Sequence, residues 1–118
     1  MATPQQPTNQ QPIVATTTSS SPLAENRVRR FLYVRCYAVN PTNGTVGQPT
    51  MWLSFGNPAT PGMKGEMEIQ AGTEYTFGGR LEPPRQTLPG SFFLPNCPTE
   101  SVNVITASGS AYGCVIEF

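Results

Sequence analysis

The stretch that decides the fold runs from Arg27 to Val39 and reads RVRRFLYVRCYAV. Leu32, Val34, Cys36 and Ala38 fall on one side of a period of two, and Phe31, Tyr33, Arg35 and Tyr37 on the other. Aliphatic and aromatic side chains in that alternation specify a β-strand whose aliphatic side faces a core. Outward toward the C-terminus the same reading repeats in shorter pieces divided by Gly and Pro. Thr50–Phe55 places Met51, Leu53 and Phe55 on one side, and Met63–Gln70 and Thr73–Phe77 flank an Ala71-Gly72 turn. Ser91–Leu94 follows a proline-rich loop, and Val102–Ala107 and Tyr112–Phe118 are joined by Ser108-Gly109-Ser110, read as a hairpin turn. Asn43-Gly44 marks a turn inside a wider loop bounded by Pro41 and Gly47. No helical period survives the prolines. About seven short strands in residues 27–118 predict an all-β domain, a compact antiparallel β-sandwich.

Outward toward the N-terminus the composition changes at residue 26. In MATPQQPTNQQPIVATTTSSSPLAEN, Gln, Thr, Ser, Pro and Asn fill 18 of 26 positions and Glu25 is the only charge. A segment this polar buries too little apolar surface to offset its own ordering entropy. Residues 1–26 are therefore expected to form an extended low-complexity arm, stiffened by Pro4, Pro7, Pro12 and Pro22. Ile13-Val14 and Leu23-Ala24 are its two apolar knots and its expected anchors on a neighbouring subunit.

The chain has 118 residues, with 7 Lys and Arg against 7 acidic residues, no His, and no Asp. Without His or Asp there is no Ser-His-Asp or Cys-His couple and no imidazole base, so the chain is not expected to be an enzyme. Cys36, Cys97 and Cys114 form no CxxC pair, and neither a metal nor another cofactor is expected. The thiols are expected to pack as small apolar groups; a Cys36–Cys114 bridge requires their strands to be neighbours. No stretch approaches about 20 apolar residues, so no membrane partner is expected. A basic segment followed by an apolar run is missing at the N-terminus, and no secretory signal is expected.

Charge is divided between the halves. Arg27, Arg29, Arg30 and Arg35 cluster before residue 60, whereas six of the seven glutamates follow it. A basic cluster beside Phe31, Tyr33 and Tyr37 superficially suits nucleic acid, but a net charge of zero argues against a phosphate-binding domain. The cluster reads as a solvated strand margin, as a contact for an acidic protein surface, or as one end of a head-to-tail self-association of basic and acidic ends. Glu66 and Glu68 share one face of a strand, with Met67 and Ile69 on the dry side, and read as its wet face rather than as an acid–base or calcium pair. Trp52, Tyr75 and Tyr112 suit either a sandwich core or a sugar platform, the core being the commoner use of such a Trp.

WLSFGNPAT (Trp52–Thr60), GEMEIQAGTEYTF (Gly65–Phe77) and VNVITASGSAYGCVIEF (Val102–Phe118) together resemble the small β-sandwich virion proteins of tailed bacteriophages. The resemblance covers residues 50–118 and leaves out the arm, the first strand and the insertion Pro83–Gly90. It implies a non-enzymatic structural protein of the virion, a head decoration or capsid cement protein on the capsid surface, made in the host cytoplasm. The implied partners are the major capsid protein and copies of the chain itself, a homotrimer being the expected oligomer. The alternatives are a neck or tail accessory protein and a carbohydrate-binding module. On this reading the contact residues are Ile13, Val14 and Leu23 of the arm and Arg27, Arg29, Arg30 and Arg35 of the basic cluster.

Overall fold

The computed structural model describes residues 9–44, 48–60, 67–78, 91–94 and 96–118. The described residues form nine strands, in chain order β1 (Asn9–Ala15), β2 (Ser20–Leu23), β3 (Phe31–Cys36), β4 (Met51–Phe55), β5 (Met67–Ile69), β6 (Glu74–Gly78), β7 (Ser91–Leu94), β8 (Val102–Thr106) and β9 (Ala111–Glu117). They form two facing sheets, β1-β9-β3-β6-β7 and β2-β8-β4-β5. The all-β sandwich expected from the alternating pattern is what the chain forms. Every pairing is antiparallel except β6 with β7, which run parallel.

The pairings have a common logic. β1 lies on β9, β2 on β8, β3 on β6 and β4 on β5, so the first half of the chain runs antiparallel to the second half read backward. Contacts of β9 with β3 and of β8 with β4 then roll that long double ribbon into two layers. This is the strand order of an eight-stranded jelly roll, with β7 added at one margin.

Residues 9–23 correct the expectation of an arm over residues 1–26, of which residues 1–8 lie outside the described residues. Residues 9–23 supply the outer strand of each sheet, raising the count from seven strands to nine. Ile13, Ala15 and Leu23 are buried in the chain's own core, so Ile13 and Leu23 are not anchors for a neighbour; Val14 is 51% exposed. An outermost strand needs few apolar side chains, and its outward edge needs no hydrogen-bond partner, which is why Pro12 is tolerated there. Composition alone hid this. The break at residue 26 divides two compositions, while the sandwich runs across it.

Side chains from both sheets fill the interior: Leu32, Val34 and Cys36 of β3, Met51 and Leu53 of β4, Ile69 of β5, Phe77 of β6, Val102 and Val104 of β8, and Val115 of β9. At Gly113 of β9 the backbone of β3 comes so close that a Cβ would lie 2.0 Å from the Arg35 carbonyl oxygen, so only glycine fits. The turn after β8 is not a hairpin. It carries the chain from one sheet to the other, closed by Thr106 Oγ1 donating to the Gly109 carbonyl at 2.7 Å, with Gly109 at φ +69°.

Arg29 also departs from expectation. It is not part of a surface patch: it is 3% exposed and closes one end of the sandwich. Its Nε donates to Glu117 Oε1 at 2.7 Å, Nη1 to the carbonyls of Pro98 and Glu100, and Nη2 to that of Ala24. Asn26 Nδ2 donates to the same Glu117 oxygen at 3.0 Å. Burying such a pair is favourable only when its donors and acceptors are satisfied, and here the backbone supplies much of that.

Candidate contact face

The outer face of the five-stranded sheet presents its side chains in rows set by the register. One row runs Gln10, Ile116, Tyr33, Thr76, Phe93; the next runs Pro12, Cys114, Arg35, Glu74, Ser91. A third holds Val14 beside Tyr112, with Tyr37 next to them through its backbone N–H to the Tyr112 carbonyl. Phe31 and Phe118 pack edge to face, with ring centres 5.1 Å apart. Within these rows the charged side chains are Arg35 and Glu74, directly opposite one another on β3 and β6.

Both charges are held by aromatic neighbours. The Arg35 guanidinium lies over the Tyr37 ring, 5.6 Å from its centre. Glu74 accepts from the Tyr33 hydroxyl and, at 2.9 Å, from Ser91 Oγ. Burial, the hydrogen bond to Glu74 and the negative charge of Glu74 push the Tyr33 phenol up to about 12. The Tyr37 phenol is also raised, first by its hydrogen bond with Cys114 and then by burial. The result is a nearly neutral surface of half-exposed tyrosines, apolar side chains and one arginine. Protein interfaces are enriched in these residue types, and the rings offer contact area at low entropic cost.

No family model, no curated protein and no solved structure matches the chain. The reading of the site therefore rests on its own geometry.

Among the residues expected to make contacts, the structure brings Val14 and Arg35 to this face. Arg27 is fully on the surface, its Nε 3.2 Å from Glu25 Oε1 in an exposed pair, and Arg30 is exposed on the segment before β3. Ile13, Leu23 and Arg29 are interior. The face also includes Tyr112, Ile116 and Phe93, which the charge pattern did not single out. The alternation of β9, where every second residue is buried, puts Tyr112 and Ile116 on one side, and register alone joins that side to Tyr33 and to Phe93 of β7.

The sugar platform does not assemble. Tyr112 lies on the outer face of the five-stranded sheet, and Trp52 on the outer face of the other, between Glu68 and Ile105. Tyr75 of β6 is packed against the core, stacked on Phe92 of the marginal β7 at 4.8 Å. Trp52 is thus half-buried outside the core, contrary to the commoner use of such a residue, because Met51 and Leu53 take the inward positions of β4. Glu68 is exposed with Ile69 buried beside it, as a wet face requires, and Glu66 lies outside the described residues. Cys36 and Cys114 sit on neighbouring strands but on opposite faces of the sheet, so no bridge forms; both are free thiols. Burial raises the Cys36 thiol to about 11.

Proposed function

We propose that this chain is a non-enzymatic structural protein of a virion, a decoration protein that binds a capsid shell through the outer face of its β1-β9-β3-β6-β7 sheet. The observation that carries this reading is the face itself: Tyr33, Tyr37, Tyr112, Ile116 and Arg35 on one rigid sheet, with the face's two charges opposite each other. The resemblance of residues 50–118 to small phage virion proteins supports it, as does the jelly roll, an architecture recurrent in viral capsid domains and also in lectins and cupins. Residues 9–23 do not serve as a reaching arm, because they are built into the sandwich. Binding is instead surface to surface, and a near-neutral aromatic patch suits repeated contacts with a symmetric shell.

The test is quantitative mass spectrometry of purified virus particles from a culture producing the chain. Copies on the order of hundreds per particle are expected for head decoration; tens or fewer place the protein in the neck or tail, and absence from particles overturns the reading. Tyr37→Ser combined with Arg35→Ala should cut particle occupancy about tenfold, with circular dichroism unchanged.

A further inference from the structure

β7 is the odd strand of the fold. The jelly-roll order is complete without it, and its pairing with β6 is the one parallel pairing among the described residues. Without β7, the margin of the sheet would be β6, which carries the Glu74 carboxylate. With it, Ser91 Oγ caps that carboxylate at 2.9 Å and the new margin, Ser-Phe-Phe-Leu, has no charge. Beyond β7 no further described strand lies in its sheet.

A bare strand edge is a template for another strand, and proteins usually blunt such edges with proline, charge, a bulge or brevity. The other three margins here are blunted. β1 carries Pro12; β2 carries Pro22 and shifts register between Ser20 and Leu23; β5 carries the exposed charge of Glu68. β7 is four residues long, as β2 is, but has no proline, charge or register shift within its span. It also exposes two large rings, Phe92 at 46% and Phe93 at 48%. They lie on opposite sides of the strand, so the edge is apolar above and below the sheet plane.

We infer that β7 is a self-pairing edge: two copies of this chain dock antiparallel through Ser91–Leu94 across a two-fold axis, joining their five-stranded sheets into one. The occupant is a second copy because the strand is complementary to itself. Its neutrality removes the like-charge repulsion that a charged strand meets in its own image. In a two-fold antiparallel pair with Phe93 opposite its counterpart, Phe92 of each copy faces Leu94 of the other, and side chains directly opposite share a face. Both sit on the inner face, where Phe92 stacks on Tyr75 and Tyr75 on Phe77. The inner face also opens into a cleft of about 340 Å³ lined by Phe55, Met67, Phe77, Leu94 and Cys97. The partner's Phe92 extends that apolar surface across the junction. A contact of four residues per copy is smaller than the roughly 1,200 Å² at which stable interfaces begin, so the free pair is weak, and many copies on one scaffold strengthen it through effective concentration.

This inference goes beyond the proposed function and does not depend on it: pairing in solution and presence on particles are separate measurements. Sedimentation equilibrium of the full chain over a wide concentration range should show the mass rising from 12.7 kDa toward twice that value. Phe93→Lys, at an exposed position, should weaken association about tenfold or more, with unchanged circular dichroism. Val28→Lys, 79% exposed on the segment before β3, should leave association unchanged. Phe93→Cys, in a chain carrying Cys97→Ser and Cys114→Ser, should give an oxidised covalent dimer, and Phe92→Cys in that background should give far less. A monomer at all concentrations, or association indifferent to Phe93→Lys, overturns the inference.

Discussion

β1 and β2 occupy the margins of the two sheets, and β8 and β9 lie directly beside them in sequence-remote pairs. The two regions share a ladder and differ in almost everything else. β8 buries all five of its residues and β9 every second one, whereas Ile13, Ala15 and Leu23 are the buried side chains of the N-terminal pair. A strand with neighbours on both sides must meet packing demands on each; a marginal strand can take its order from the ladder and needs only a few side chains to be anchored. Polar composition is thus a poor guide to disorder when the missing partner strand is elsewhere in the chain.

The sharpest way to break this comparison is at Arg29, which fastens the chain just after β2 to the end of β9. Arg29→Ala should cost about 3–5 kcal/mol, because it leaves Glu117 buried without its cation, while Arg27→Ala, in an exposed pair, should cost under about 1 kcal/mol. Urea denaturation of the two variants checks this. If they match, the buried pair is not what joins the regions. Next in size is the anchoring of β1 and β2. Ile13→Ala and Leu23→Ala should each cost about 2–5 kcal/mol, against under about 0.5 kcal/mol for Val14→Ala on the outer face. Equal and small losses at all three positions would mean that the N-terminal strands are not part of the core.

The smallest effect lies on the other flank of β9, at Tyr33 of β3. Its folded phenol, held near 12 by burial and Glu74, favours the protonated form relative to an unfolded phenol near 10. The associated stability is present below the unfolded value and is lost as pH rises through about 10 to 12. Ultraviolet titration of the phenolates should show a late component that disappears in Tyr33→Phe, and that variant should lose stability less steeply over the same range.

Much of the sandwich was legible because its central strands announce themselves. Leu32, Val34 and Cys36 against Tyr33 and Arg35 can be read only as a half-buried strand, and Met51 with Leu53 repeats the argument. Both tiers of the N-terminal segment were not legible, since QQPIVA offers a single alternation and SSPL a single leucine. The loop from β8 to β9 looked like a hairpin because a hairpin and a crossover use the same Ser-Gly-Ser chemistry; only the distant partners β2 and β4 decide between them. The contact face was half visible. The β3 alternation displays Tyr33, Arg35 and Tyr37, but the addition of Tyr112, Ile116 and Phe93 depends on register, which local sequence does not encode. Arg29 was misread for a related reason: a run of arginines looks solvated until the folded chain brings four acceptors around one of them.

The pairing of β1 with β9 has a consequence for how the protein is made. Asn9 pairs with Glu117, so the first strand emerges from the ribosome about a hundred residues before its partner exists. At roughly 5–20 residues per second, that is a delay of about 5–20 seconds. An apolar strand left unpaired for so long would invite aggregation. A stretch of Asn, Gln and Pro with one short apolar knot can wait in water unharmed and still close the roll when β9 arrives.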